Sequence, residues 1–142
     1  RFRGGDALGL RCREIHMAKV FTQADAKSMG LPGRKSLELA SGERGTQNVT
    51  LRLVEIPVAK PGDKPRGQHR HDGFEECIHV LEGEGVTEAG SGRFPLKAGD
   101  TIVIPPGEYH VTRNSGTAPL VLLCFFPVGS IAGRTHEPAA QG

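Results

Sequence analysis

From about residue 47 onward, turn-forming residues recur every 6 to 12 positions, and the stretches between them are too short for ordinary helices. Asn48 to Val58, NVTLRLVEIPV, is rich in β-branched residues and largely alternates apolar with polar, the period of a half-buried strand. The turn-forming stretch KPGDKPRG follows it. Cys77 to Leu81 reads as a second strand, ended by Glu82-Gly83-Glu84-Gly85, with Val86 to Ala89 as its natural partner across a short turn. Arg93 to Lys97, Thr101 to Ile104, His110 to Arg113 and Leu120 to Phe126 are further short strands, punctuated by Ala98-Gly99-Asp100, Pro105-Pro106-Gly107-Glu108 and Asn114-Ser115-Gly116-Thr117. With 20 Gly and 10 Pro in 142 residues and no collagen-like period, this spacing predicts an all-β chain, an antiparallel sandwich or barrel.

The N-terminal part reads differently. Residues 1–16 show no clear period and stand outside the fold as a short extension, either a native tail or a cloning-derived leader; the His16-Met17 junction is what a common cloning site leaves. Residues 22–29 are predicted to form one short helix, with Thr22 as N-cap and Gly30 ending it.

Charge excludes some partners. The 18 Lys and Arg against 16 Asp and Glu are scattered, with no basic stripe or basic and aromatic interleaving, so nucleic acid is not expected as a partner. No apolar run reaches the ~18 residues that span a bilayer, and no signal-peptide core is visible, so the expectation is a soluble, cytoplasmic protein without a membrane partner. Cys12, Cys77 and Cys124 are odd in number and widely spaced, which argues against a disulfide scaffold.

Four metal-competent residues sit at informative spacings: His69, His71, Glu76 and His110. Residues two apart on a strand share a face, so His69 and His71 can aim at one point. Asp72-Gly73 is a turn sequence that would swing the chain back and bring Glu76 into the same cavity, with His110 arriving from another strand. Three imidazoles and a carboxylate suit Fe, Mn, Ni, Zn, Co or Cu and leave room on a six-coordinate ion for water or substrate. Taken alone, the His-x-His tripeptide reads better as two exposed strand histidines.

The wider pattern reverses this. Gly67, His69, His71, Glu76 and Gly83, followed by Gly99, Pro105, Gly107, His110 and Asn114, resemble the two signature motifs of the cupin superfamily. Four residues separate His71 from Glu76 and six separate Glu76 from Gly83, as in the first motif. The second motif fits without a gap. One departure is the leading Gly, which the family places five residues before the first His; here Gly67 is too close and Gly62 is one residue too far. The 15 residues between Gly83 and Gly99 match the short inter-motif segment of small microbial cupins. The resemblance implies a small jelly-roll barrel over residues 17–142, with its core at about 47–128. It implies one divalent transition metal per chain held by His69, His71, Glu76 and His110, a small-molecule ligand or substrate, and a homodimer. Asn114 reads as a structural turn residue.

The remaining candidates lie beside the metal. Arg52, in the strand before the ligand pair, either faces the cavity and grips an anionic group or sits on the solvent side, the reading that alternation favours. Arg66 and Arg70 join it as groups able to hold a phosphate at the barrel mouth. Tyr109, Glu75, Cys77 and His79 alternate away from the metal, His79 toward surface or a dimer contact. Cys124 lies in a strand so apolar that its facing is open, and it is a candidate catalytic thiol. Three functions compete: a metal-dependent oxygenase, a redox-neutral isomerase or lyase acting on sugar phosphates or keto acids (including thiol release from a methylthio-pentulose phosphate), and a non-catalytic small-molecule binder. The first heads the expectation.

Overall fold

In the computed structural model the described residues are 17–139, so the reading of 1–16 as an extension lies outside them. Eleven strands follow in order: β1 (Lys27–Ser28), β2 (Lys35–Ala40), β3 (Thr50–Ile56), β4 (Arg70–His71), β5 (Glu76–Glu82), β6 (Glu84–Ala89), β7 (Gly92–Lys97), β8 (Thr101–Ile104), β9 (His110–Asn114), β10 (Leu120–Phe126) and β11 (Thr135–His136). All pairings are antiparallel. One sheet of the jelly roll runs β1-β2-β3-β10-β5-β8, a second runs β7-β6-β9, and β11 pairs with β4 as a separate two-stranded ribbon.

The strand reading from the sequence matches the β3, β5 to β10 series to within a few residues. The N-terminal elements and β11 depart from it. The helix expected over 22–29 is only a 3-10 turn at Gln23–Asp25 followed by β1, and no hydrogen bond from Thr22 to a backbone N–H caps it. One turn of helix fixes several dihedrals for little hydrogen bonding, whereas β1 gains ladder partners on β2. Strand β2 was not expected, and its sequence explains why. Its inward residues are Ser36 and Glu38, while Leu37 and Leu39 face out, so its alternation is inverted.

The core lies between the sheets. On β10, Leu120, Leu122, Cys124 and Phe126 point inward, meeting Val54 and Ile56 of β3 and Ile78 and Val80 of β5. Leu122 is 1% exposed, and truncating it to Ala would cost about 2 to 5 kcal/mol. The β5-β6 connection needs a glycine: Gly83 has φ +85°, and a Cβ there would stand 2.6 Å from the Pro119 carbonyl oxygen. Asn114 closes the next turn, donating from Nδ2 to Ile56 O at 3.0 Å and Ala118 O at 2.8 Å and accepting from Gly116 N–H at 2.8 Å. This is the turn role its position suggested. None of the helices among the described residues is long and apolar enough to cross a membrane.

Candidate metal centre

The four motif residues meet. One donor atom from each of His69, His71, Glu76 and His110 lies within 4.8 Å of every other. Backbone pairing accounts for much of this: His69 and His110 form a two-residue bridge, and Gly107 N–H donates to the His71 carbonyl at 2.8 Å. The second motif's turn is thereby tied to the first motif's ligand strand.

Two of the three rings are also held by their other edge. His71 Nδ1 lies 3.0 Å from Thr135 Oγ1, and the threonine hydroxyl lies 3.4 Å from the Ile131 carbonyl. The carbonyl is the acceptor, so the hydroxyl donates to it and accepts from His71 Nδ1–H. Phe74 stacks on the His71 ring and Phe126 meets it edge-on, with centroids 5.3 and 5.2 Å away. His110 Nδ1–H donates to the Glu108 carbonyl at 3.0 Å. In both rings Nε2 is the atom turned toward Glu76, at 3.1 Å from His71 and 2.9 Å from His110. Holding the far nitrogen in this way orients an imidazole for metal ligation.

The electrostatics favour positive charge at the meeting point. Burial pushes the Glu76 carboxyl up, but hydrogen bonds from His110 and His71 outweigh it and hold the carboxyl well below its usual range. For His110 burial works against protonation, and the bond to Glu76 wins, raising its pKa. Burial first, and then the neighbouring His110, lower His69 to about 3. His69 Nδ1 is buried without a hydrogen-bond partner. Neutral imidazole nitrogen, ionised carboxylate and an orphaned ring atom form a donor set suited to a divalent transition metal.

The cluster opens into a cavity of about 370 Å³. Arg34, just before β2, and Arg66, just before the ligand strand, line it. Arg34 Nε and Arg66 Nη1 are both buried without hydrogen-bond partners. Burial, and then the charge of Arg66, lower the Arg34 pKa to about 10. Arg34 and β2 escaped the sequence reading because of the inverted alternation. Thr135 escaped it because the two-residue strand that carries it has no period to detect.

The other candidates divide. Arg52 faces the cavity, against the solvent-facing reading, and donates from Nη2 and Nε to Glu38 Oε2 at 2.9 and 3.3 Å. Leu51 and Leu53 take outer positions of β3, and alternation turns Arg52 between them inward. Cys124 also faces the cavity. Burial, and then the charge of Glu76, raise its thiol pKa well above the ordinary value, so it stays protonated and loses the ground for a thiolate nucleophile. Arg70 does not line the cavity: its guanidinium lies over the Tyr109 ring at 5.3 Å and 3.7 Å from Asp72, so it drops out as a phosphate anchor. Glu75 is exposed, Cys77 and His79 alternate outward on β5, and His79 bonds Thr101 across the sheet at 2.8 Å.

Comparison with known proteins agrees with this geometry. Residues 57–126 match the family model described as Cupin domain. An oxalate-binding protein of Thermotoga maritima is 39% identical over 57 residues, 40% of this chain and 47% of that protein. An uncharacterized protein of Methanocaldococcus jannaschii is 43% identical over 56 residues, 39% of this chain and 45% of that one. These matches span about half the length of each relative. The oxalate decarboxylase of Lactobacillus farciminis, solved as a formate complex, has the same fold, with a TM-score of 0.67 and 24% identity over 81% of this chain and 34% of that one.

Proposed function

The chain belongs to the cupin superfamily, and from that premise we propose that it is a metal-dependent enzyme acting on a small organic anion, by redox-neutral chemistry. His69, His71, Glu76 and His110 would hold one divalent transition metal. The observation that carries the anion is that two half-buried arginines line the same cavity, each with a buried nitrogen that has no hydrogen-bond partner: Arg34 Nε, whose Nη2 is held by the Thr112 carbonyl at 3.4 Å, and Arg66 Nη1. Partly buried cations that lack a carboxylate partner are costly, and an anionic ligand relieves that cost. The oxalate-binding relative supports a carboxylate as the anionic group.

When bound, the metal would supply Lewis acidity, polarising a carbonyl or carboxylate oxygen. The chain's own residues do the rest. Arg34 and Arg66 orient the anion and stabilise negative charge that develops on its oxygens. Phe74 and Phe126 keep water from the His71 side of the cluster, and Thr135 holds the His71 ring in register. The oxygenase reading rests on the ligand set alone. The two cavity-lining cations favour stabilisation of an oxyanion over electron transfer to dioxygen.

Calorimetric titration of manganese-loaded protein with oxalate as probe tests the anion site. Binding that depends on manganese and falls at least tenfold in Arg66→Ala is expected; equal binding by the variant contradicts it. For the reaction type, turnover that persists without dioxygen is expected, and strict oxygen dependence would restore the oxygenase reading. We also read the chain as a homodimer. Leu37, Leu51, Leu53, Leu123 and Phe125 form a continuous, half-buried apolar patch on the outer face of the large sheet, which a second copy would cover.

A further inference from the structure

Further along the large sheet from Glu76, the cavity has a polar wall that neither a metal nor a simple anion uses. In most of the large sheet the inward positions carry Leu, Ile, Val or Phe, but on β2 and β3 they include Ser36, Glu38 and Arg52. Glu38 and Arg52 are cross-strand partners, and all three residues line the cavity. Ser36 is 1% exposed, and its Oγ has no hydrogen-bond partner. Both arginine contacts fall on a single carboxylate oxygen, Glu38 Oε2, which leaves Oε1 clear of the guanidinium. A buried ion pair recovers little of its desolvation cost, and an unpaired buried hydroxyl adds to it, so the wall is poorly explained as a device for stability.

From these groups we propose that the cavity takes a polyhydroxylated organic acid of sugar size. Its carboxylate would sit at Arg34 and Arg66 beside the metal cluster, and its hydroxyls on Glu38, Arg52 and Ser36. The inference deepens the anion reading above and rests on it. Carboxylate acceptor, guanidinium donor and a serine that does both complement neighbouring hydroxyl groups, which also donate and accept. Distance selects a longer molecule. Glu76 on β5 and Glu38 on β2 are separated by β10 and β3, three strand spacings of about 4.8 Å each. A two-carbon acid at the cluster would not reach the wall, whereas a chain of about six carbons fits a cavity of this class. An acid with a plain hydrocarbon tail would bury the wall's polar groups without partners, the arrangement by which a site rejects an analogue lacking its hydroxyls.

The test is calorimetry on manganese-loaded full chain with D-gluconate, D-galacturonate, hexanoate, glucose 6-phosphate and oxalate. One or both sugar acids should bind at least tenfold more tightly than hexanoate and than the phosphate ester. Ser36→Ala, which removes a single hydroxyl, and Glu38→Gln should each reduce that advantage while leaving oxalate affinity unchanged. Equal affinity for hexanoate, preference for the phosphate ester, or an advantage untouched in both variants overturns the proposal. If oxalate and the sugar acids all fail to bind although manganese is retained, the anion reading itself falls and carries this inference with it.

Discussion

His69 and His110 exchange both of their backbone hydrogen bonds, His69 N–H to His110 O at 3.0 Å and His110 N–H to His69 O at 2.8 Å. The two sequence motifs are therefore joined at the backbone before any side chain contributes. Ladder bonds of this kind set ring positions without relying on a bound ion, and the folded barrel should present the cluster preformed.

Thr135 should matter to metal affinity although it is not a ligand. Its hydroxyl accepts from His71 Nδ1–H and turns Nε2 toward the cluster. Thr135→Val should weaken metal binding by about 10- to 100-fold, the usual effect of losing such a partner, and Thr135→Ser should retain it. Competition with a chromophoric chelator measures both. Wild-type affinity in the valine variant would contradict the assignment.

Cys124 should resist alkylation in the native protein. It is 6% exposed, and its thiol is held protonated by burial. Peptide mapping after iodoacetamide treatment at mildly alkaline pH should find Cys77 modified well ahead of Cys124, with both modified once the chain is unfolded. Prompt labelling of native Cys124 would reinstate it as a nucleophile.

Acid should destabilise the metal-free protein in a window that Glu38 helps to set. Burial raises the Glu38 carboxyl, yet the Ser41 hydroxyl and the Arg52 guanidinium outweigh it and lower the pKa below the ordinary 4.5. A group depressed in this way stabilises the fold above its unfolded pKa, and the contribution is lost as pH falls through the folded value. His69 acts in the same direction: the unfolded chain takes up its proton near 6.5, the folded one only near 3. Thermal melts in chelator should show Tm falling from about pH 7 toward pH 4. The gap between wild type and Glu38→Gln should narrow below 4.5. A gap that stays constant to the acid end would contradict the Glu38–Arg52 contribution.

The barrel and its cluster were legible for a physical reason. Strands with apolar residues on the core side, such as Leu120 to Phe126, and ligands fixed by turn glycines at Gly83, Gly99 and Gly107 leave local signals in the chain. The cavity wall leaves the opposite signal. On β2 and β3 the leucines face out and Ser36, Glu38 and Arg52 face in, so the rule that polar residues face solvent turned Arg52 the wrong way and hid β2. Thr135 and Arg34 act through contacts with residues distant in the chain, and no spacing records such contacts.

The central claim is that His69, His71, Glu76 and His110 form one divalent metal site. Elemental analysis of purified wild type, His69→Ala and His110→Ala tests it most directly, with circular dichroism to confirm the β fold of each. The account predicts about one equivalent of a divalent transition metal in wild type and loss of most of it in both variants, with the barrel still folded on its aliphatic core. Wild-type metal content in the folded variants would contradict it.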